Sequence, residues 1–281
     1  MDQRIITAER LRVFGRYLLE EERSMATVEK YLREISQLAD FLQGAPVEKG
    51  SVAAWKTALM EQNYHPATVN GKLTAVDRFF IFLGWQDCRV KHLKVQRKAF
   101  RESSRELTKE EYRRLLQTAD ALGKERLLLL LETICATGIR VSEVRYITCK
   151  AIQAGKAEIF LKGKVRTILI PGRLCRKLQK YANRQKITSG ELFLTRSGKG
   201  LSRKQIWMEM KRLCEQAKVE PTKVFPHNLR HLFARCFYHA CRDVAKLADV
   251  LGHSSIETTR IYLISTGTEH VQALNRLRLI L

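Results

Sequence analysis

Residues 226–262 read PHNLRHLFARCFYHACRDVAKLADVLGHSSIETTRIY, and the rest of the chain is organised around them. His227 and Arg230 stand on one helical turn, a second histidine, His253, follows Leu251-Gly252, and Tyr262 comes nine residues later. Cations at that spacing can grip a phosphate, and a phenol beside them can attack it. Two arms of chemistry are therefore expected from one short segment: charge stabilisation and nucleophilic attack.

Working outward, the charge supports a polyanionic partner. The 281 residues carry a formal net charge of +22. That excess is uneven, with residues 1–100 holding a net of +4 and residues 101–281 a net of +18. A surplus this large points to nucleic acid and places the stronger grip in the second part of the chain. Hydrophobic content of 45% and charged content of 28% are those of a folded chain. The N-terminal text shows no export signal, and the longest leucine run, residues 127–131, is too short to cross a bilayer. Seven scattered cysteines without a Cys-x-x-Cys pattern suit reduced thiols, so the reading expects a cytoplasmic protein with no membrane partner.

Periodicity divides the chain. Residues 8–23, a segment opened by Thr27, residues 51–62 and a segment from Pro66 to Gly84 each carry an apolar helical stripe, predicting four short helices over residues 1–88. Residues 89–106, RVKHLKVQRKAFRESSRE, lose the stripe and are rich in lysine and arginine, which predicts a basic linker along a phosphate backbone. A second domain is expected over residues 107–281. Thr108 and Glu111 form a capping box, residues 126–136 make an almost wholly apolar helix ending at Gly138, and residues 139–143 are read as the start of the next helix. Residues 157–161 and 166–170 alternate as a β-hairpin, residues 191–194 make a short extended piece, and Ser202 caps a further helix. The tail, residues 269–281, is amphipathic through Val271, Leu274, Leu277 and Ile280. The fold class expected is mainly α with a small β-sheet, in two domains.

The segments TGIRVSE (137–143), LKGKVRTILIP (161–171), PHNLRH (226–231), LGHSS (251–255) and TTRIY (258–262), in this order, resemble the tyrosine site-specific recombinases, the phage integrase and Xer-type family. The first four helices are similar to that family's SAM-like core-binding domain. The resemblance implies a core-binding domain and an α+β catalytic domain forming a clamp around DNA. It implies strand cutting and rejoining through a 3′-phosphotyrosyl link, without metal, ATP or other cofactor, for integration and excision or for dimer resolution. The implied catalytic set is Arg140, Lys162, His227, Arg230, His253 and the nucleophile Tyr262. Lys164 competes with Lys162 for the hairpin position, because the family's Gly-Lys-Gly reads Leu-Lys-Gly here, and Glu143 fills an accessory acidic position.

The physical chemistry of each residue agrees. A phosphodiester under attack gains charge on its non-bridging oxygens, and guanidinium is a permanently charged, forked donor suited to them. A phenol with a pKa near 10 needs neighbouring bases or cations, which His227 and His253 supply. The partners implied are double-stranded DNA with short inverted repeats and a homo- or hetero-tetramer built through the C-terminal helix, with Tyr262 positioned on assembly. Competing readings are a catalytically inactive DNA-binding regulator, a type IB topoisomerase, and a zinc-dependent protein using His227, His231 and Cys236 with His239 and Cys241. The last lacks the glutamate of a His-Glu-x-x-His motif, which is Asn228 here.

Overall fold

The computed structural model describes residues 3–95, 105–161, 164–253, 255–262 and 275–277, with the backbone alone at 161 and 164. Two compact units appear, Met1–Arg97 and Lys98–Leu281, and the division falls inside the basic segment 89–106.

The first unit is built from α1 (Ala8–Glu20), α2 (Met25–Leu42), α3 (Lys49–Glu61) and α4 (Pro66–Leu83). Thr7 caps α1 by accepting from the Arg10 amide at 3.2 Å, Pro66 opens α4, and Gly84 closes it in the left-handed region. The expected cap at Thr27 is corrected: α2 starts at Met25 after Ser24, and Thr27 lies within its first turn, its hydroxyl 2.8 Å from that of Ser24. Phe14, Leu18, Ile35, Leu38, Val69, Phe79 and Phe80 are fully buried where the stripes meet. Each such side chain contributes about 1.5–3 kcal/mol by leaving water. Inside this apolar layer Lys72 donates to Glu34 at 2.5 Å, both side chains being almost completely buried. The start of the expected linker is not loose. Val90 and Leu93 pack on this core, and Asn70 bonds the Leu93 backbone in both directions, at 2.8 and 2.9 Å.

The second unit forms around α6 (Glu125–Thr137), against which α5 (Lys109–Ala121), α8 (Gly172–Arg184) and α10 (Pro226–Cys241) pack. The leucines that made this segment read as central are buried, and Thr133 and Thr137 satisfy their hydroxyls on the carbonyls one turn back, at 2.7 and 2.6 Å. The capping boxes at Thr108–Glu111 and Ser202–Gln205 form as the spacing predicts, the latter opening α9 (Arg203–Ala217). After Gly138 the expected helix is a single 3-10 segment, Val141–Tyr146, because Arg140 is extended and Glu143 is spent capping its amide. Then follow α7 (Cys149–Ala154), β1 (Lys156–Leu161) and β2 (Lys164–Leu169), an antiparallel pair in register from Lys156↔Leu169 to Leu161↔Lys164. The extended piece expected at 191–194 makes two isolated bridges, Thr148↔Glu191 and Leu194↔Gly200.

Two short helices, α11 (Val244–Leu251) and α12 (Ile256–Arg260), carry the chain from α10 to Tyr262. The amphipathic tail lies, apart from residues 275–277, outside the described residues. All seven cysteines are free thiols. Among the described residues no helix is long and apolar enough to cross a membrane.

Candidate active site

The site is assembled where α6 ends. Gly138 terminates that helix with φ +63°, and a Cβ there would lie 2.5 Å from the Phe233 ring, so glycine is required both by conformation and by space. The reversal buries Ile139 and brings out Arg140, whose guanidinium is 41% exposed and free to reach a ligand. Glu143, itself only 3% exposed, accepts from the Arg140 amide and from its Nη1, both at 3.0 Å. One buried carboxylate thus fixes the direction in which Arg140 points.

Pro226 starts α10, and its first turns carry His227, Arg230 and His231. Arg230 is 2% exposed, the largest of the fully buried side chains. It donates to the Gly138 carbonyl, to the Leu251 carbonyl at 2.8 Å and to His253 Nε2 at 2.9 Å. Burial lowers its pKa, and a hydrogen bond with Tyr262 opposes that shift. Guanidinium has no acceptor, so His253 Nε2 must be the unprotonated nitrogen. Its Nδ1 then carries the proton and donates to the Thr259 hydroxyl at 2.8 Å. His253 is accordingly neutral: burial, then Arg230, Arg140 and Arg166, hold its pKa down at about 4. His227 is likewise lowered by burial and by the two arginines Arg230 and Arg140.

Tyr262 is 3% exposed and rests against Ala234, Leu247 and Leu251. Its ring lies 4.3 Å from that of His231, 5.9 Å from that of His227, and 5.7 Å from that of His253, stacked at 16°. Tyr262 and Arg230 of one chain thus lie in the same site. Of the residues expected from sequence, the structure gathers Arg140, Glu143, His227, Arg230, His253 and Tyr262. Lys162 lies outside the described residues, and Lys164 is described by its backbone, paired with Leu161. Among the described residues no group of three histidines, cysteines or carboxylates could hold a metal ion, and His231, part of the zinc reading, faces Tyr262 instead.

Three residues sit inside the motif segments but have no role in the implied catalytic set. Thr259, fully buried, receives the Nδ1 proton of the tautomer that Arg230 imposes on His253. His231 supplies the imidazole nearest the phenol ring. Arg166 of β2 donates to Glu143 at 2.6 Å and to the Leu251 carbonyl. A signal for Arg166 existed: it shares strand parity with Ile168 and Ile170, both buried, so alternation alone turns it inward.

A buried arginine beside a histidine and a tyrosine, with a second arginine oriented by a carboxylate, supplies the groups that phosphoryl transfer to a phenol needs. Comparison with known proteins places the chain in a family. Residues 105–268 match the model of the phage integrase family, and residues 11–87 match that of the phage integrase N-terminal SAM-like domain. The chain belongs to the phage integrase family. It is a tyrosine recombinase, an enzyme of site-specific DNA recombination. Tyrosine recombinase XerC of Roseiflexus castenholzii is 30% identical over 279 residues, covering 90% of this chain and 88% of that protein. Tyrosine recombinase XerA of Pyrococcus furiosus is 28% identical over 291 residues, covering 100% and 98%. In fold, the integrase resembles a lambda integrase (75–356) dimer bound to a COC′ core site, with a TM-score of 0.72 over 91% of this chain and 94% of that one, at 18% identity.

Proposed function

We propose that the chain cuts and rejoins double-stranded DNA at short inverted repeats, with Tyr262 as nucleophile and a 3′-phosphotyrosyl link as intermediate. The observation that carries this reading is the placement of Tyr262, buried among the rings of His227, His231 and His253, the last of which is bonded to the buried guanidinium of Arg230. Tyr262 Oη forms a bond to phosphorus while the bond to the 5′ oxygen breaks. The phenolic proton passes to neutral His227. The leaving 5′ oxygen takes a proton from the hairpin lysine, Lys162 or Lys164. Arg140 and Arg230 meet the charge that grows on the non-bridging oxygens. A 5′-hydroxyl from another strand then reverses the step, and the energy of the broken bond is kept in the protein–DNA link.

The family resemblance extends this to assembly. Residues 1–88 and the basic segment 89–106 grip DNA beside residues 107–281, in a tetramer joined through the helix at 269–281 and associated with the nucleoid. The net charge of +18 after residue 100 supports the DNA grip. The regulator reading is disfavoured because Glu143, spent on orienting Arg140, has no use in a protein that only holds phosphate.

The test is covalent trapping on a duplex nicked beside the scissile phosphate, selected from a random-sequence library by the chain itself. Tyr262→Phe should leave DNA binding within about threefold and form no adduct resistant to denaturation. An adduct with the phenylalanine variant would falsify the nucleophile assignment.

A further inference from the structure

Arg166 lies within the hairpin segment 161–171 but is given no role by the resemblance, yet it touches both halves of the site. It lies on β2 opposite Ile159, with its side chain 14% exposed. One Nη donates to Glu143 Oε2 at 2.6 Å. That carboxylate oxygen also accepts from the Arg140 amide at 3.0 Å, and its companion holds Arg140 Nη1. The other Nη of Arg166 donates to the Leu251 carbonyl, which Arg230 also uses, at 2.8 Å. Leu251-Gly252 leads directly into His253. A Cβ on Gly252 would come within 2.5 Å of Arg166 Cδ and Nη1, so this glycine leaves room for the guanidinium as well as adopting φ +61°.

We propose that Arg166 is a positioning residue for strand transfer, joining the β-hairpin to the Arg140–Glu143 pair and to the turn that carries His253. The proposal rests on the reading of Arg140, His253 and Tyr262 as catalytic residues. Through one planar fork, a shift of β2 is transmitted to the carboxylate that aims Arg140 and to the carbonyl that seats Arg230 and His253. Lys164 begins the same strand, so the strand that carries this candidate proton donor is registered against the phosphate clamp by this side chain. Mere cohesion is a poor explanation for it. Arg166 Nε is buried with no hydrogen-bond partner among the described residues, and burial lowers the pKa of its guanidinium to about 10. An apolar side chain at this inward position would hold the hairpin without that desolvation.

The full-length chain is compared with Arg166→Gln and Arg166→Lys on the library-selected nicked duplex. Three quantities are read: DNA affinity, single-turnover adduct formation at saturating DNA, and the His253 imidazole titration by NMR. In Arg166→Gln, adduct formation should fall about tenfold or more with affinity within about threefold, and His253 should titrate at higher pH because a neighbouring cation is gone. Arg166→Lys should also be slow, since one ammonium cannot span Glu143 and the Leu251 carbonyl, but His253 should titrate as in the wild type. Wild-type adduct rates in either variant overturn the proposal. So does a slowing that merely follows the unfolded fraction in urea. Should Arg166→Gln lose its cooperative transition, Arg166→Lys decides alone, because it keeps the charge facing Glu143. Tyr262→Phe is run beside them: an adduct there sinks the nucleophile assignment, whereas no adduct there with a wild-type rate in the Arg166 variants sinks only the positioning role.

Discussion

Replacing Arg230 by lysine keeps the charge and removes the fork, which makes it the most informative single change in the site. The guanidinium serves three acceptors: the Gly138 carbonyl, the Leu251 carbonyl and His253 Nε2. A lysine ammonium on the same helix can reach one of them. The Leu251 carbonyl retains Arg166 as donor, so the loss falls chiefly on Gly138 and His253. A buried acceptor left unmade costs about 1–3 kcal/mol, and with the ammonium serving one of these two the expected loss is about 1–3 kcal/mol. Against a usual domain stability of about 5–15 kcal/mol the variant stays folded at 25 °C. In urea its midpoint should move to lower concentration with an unchanged slope. In covalent trapping, loss of a two-pronged donor to the developing charge should slow adduct formation by about 10²–10³-fold beyond any change in binding. An unfolding free energy within about 0.5 kcal/mol of wild type would refute the claim that Arg230 secures these two acceptors. A wild-type adduct rate would refute its place as phosphate clamp.

Other expectations follow from the same geometry. His253 has its pKa lowered from 6.5 to about 4, so the stability it contributes is present above pH 6.5 and lost as pH falls from there to about 4. Solvent at the half-buried ring limits this to on the order of 1 kcal/mol, read as the difference in urea stability between wild type and His253→Gln at pH 7.5 and at pH 5. Gly138→Ala places a methyl against Phe233 in a left-handed conformation and should cost about 2–4 kcal/mol, measured by the urea midpoint. On the nicked duplex, Lys162→Ala and Lys164→Ala should differ, with the proton donor being the one whose loss slows cleavage about 10²-fold or more. Equal, wild-type rates in both would remove lysine from the acid role.

How much of this was written plainly in the sequence depends on whether a residue's partners are local. The caps at Thr108 and Ser202 and the burial of Leu127, Leu129, Leu130, Leu131 and Ile134 follow from spacing and composition alone, because the signals are local. Arg140, His227, Arg230, His253 and Tyr262 could be picked out as candidates because the family resemblance sets their residue types in order, and the fold brings them into one site. Thr27 misled because Ser24, also a good cap, stands three residues earlier. The helix expected after Gly138 shrank to a 3-10 segment because Glu143 turned back to cap Arg140, a competition that periodicity does not register. Arg166 needed the opposite kind of information: its two acceptors lie 23 residues before it and 85 after it, and only the fold brings them together.

The buried carboxylate of Glu143 has a wider meaning when the charges around it are added up. It is matched by three guanidiniums, those of Arg140, Arg166 and Arg230, and each of the two buried arginines has its pKa lowered in part by Arg140. Three guanidiniums against this one carboxylate leave the constellation with a net of two positive charges. A phosphodiester is the counter-ion that relieves this repulsion. By thermodynamic linkage, whatever binds the folded form also stabilises it. The catalytic unit is then most stable with the backbone it cuts in its grasp, and the substrate acts as a late-arriving piece of the protein's own electrostatic core.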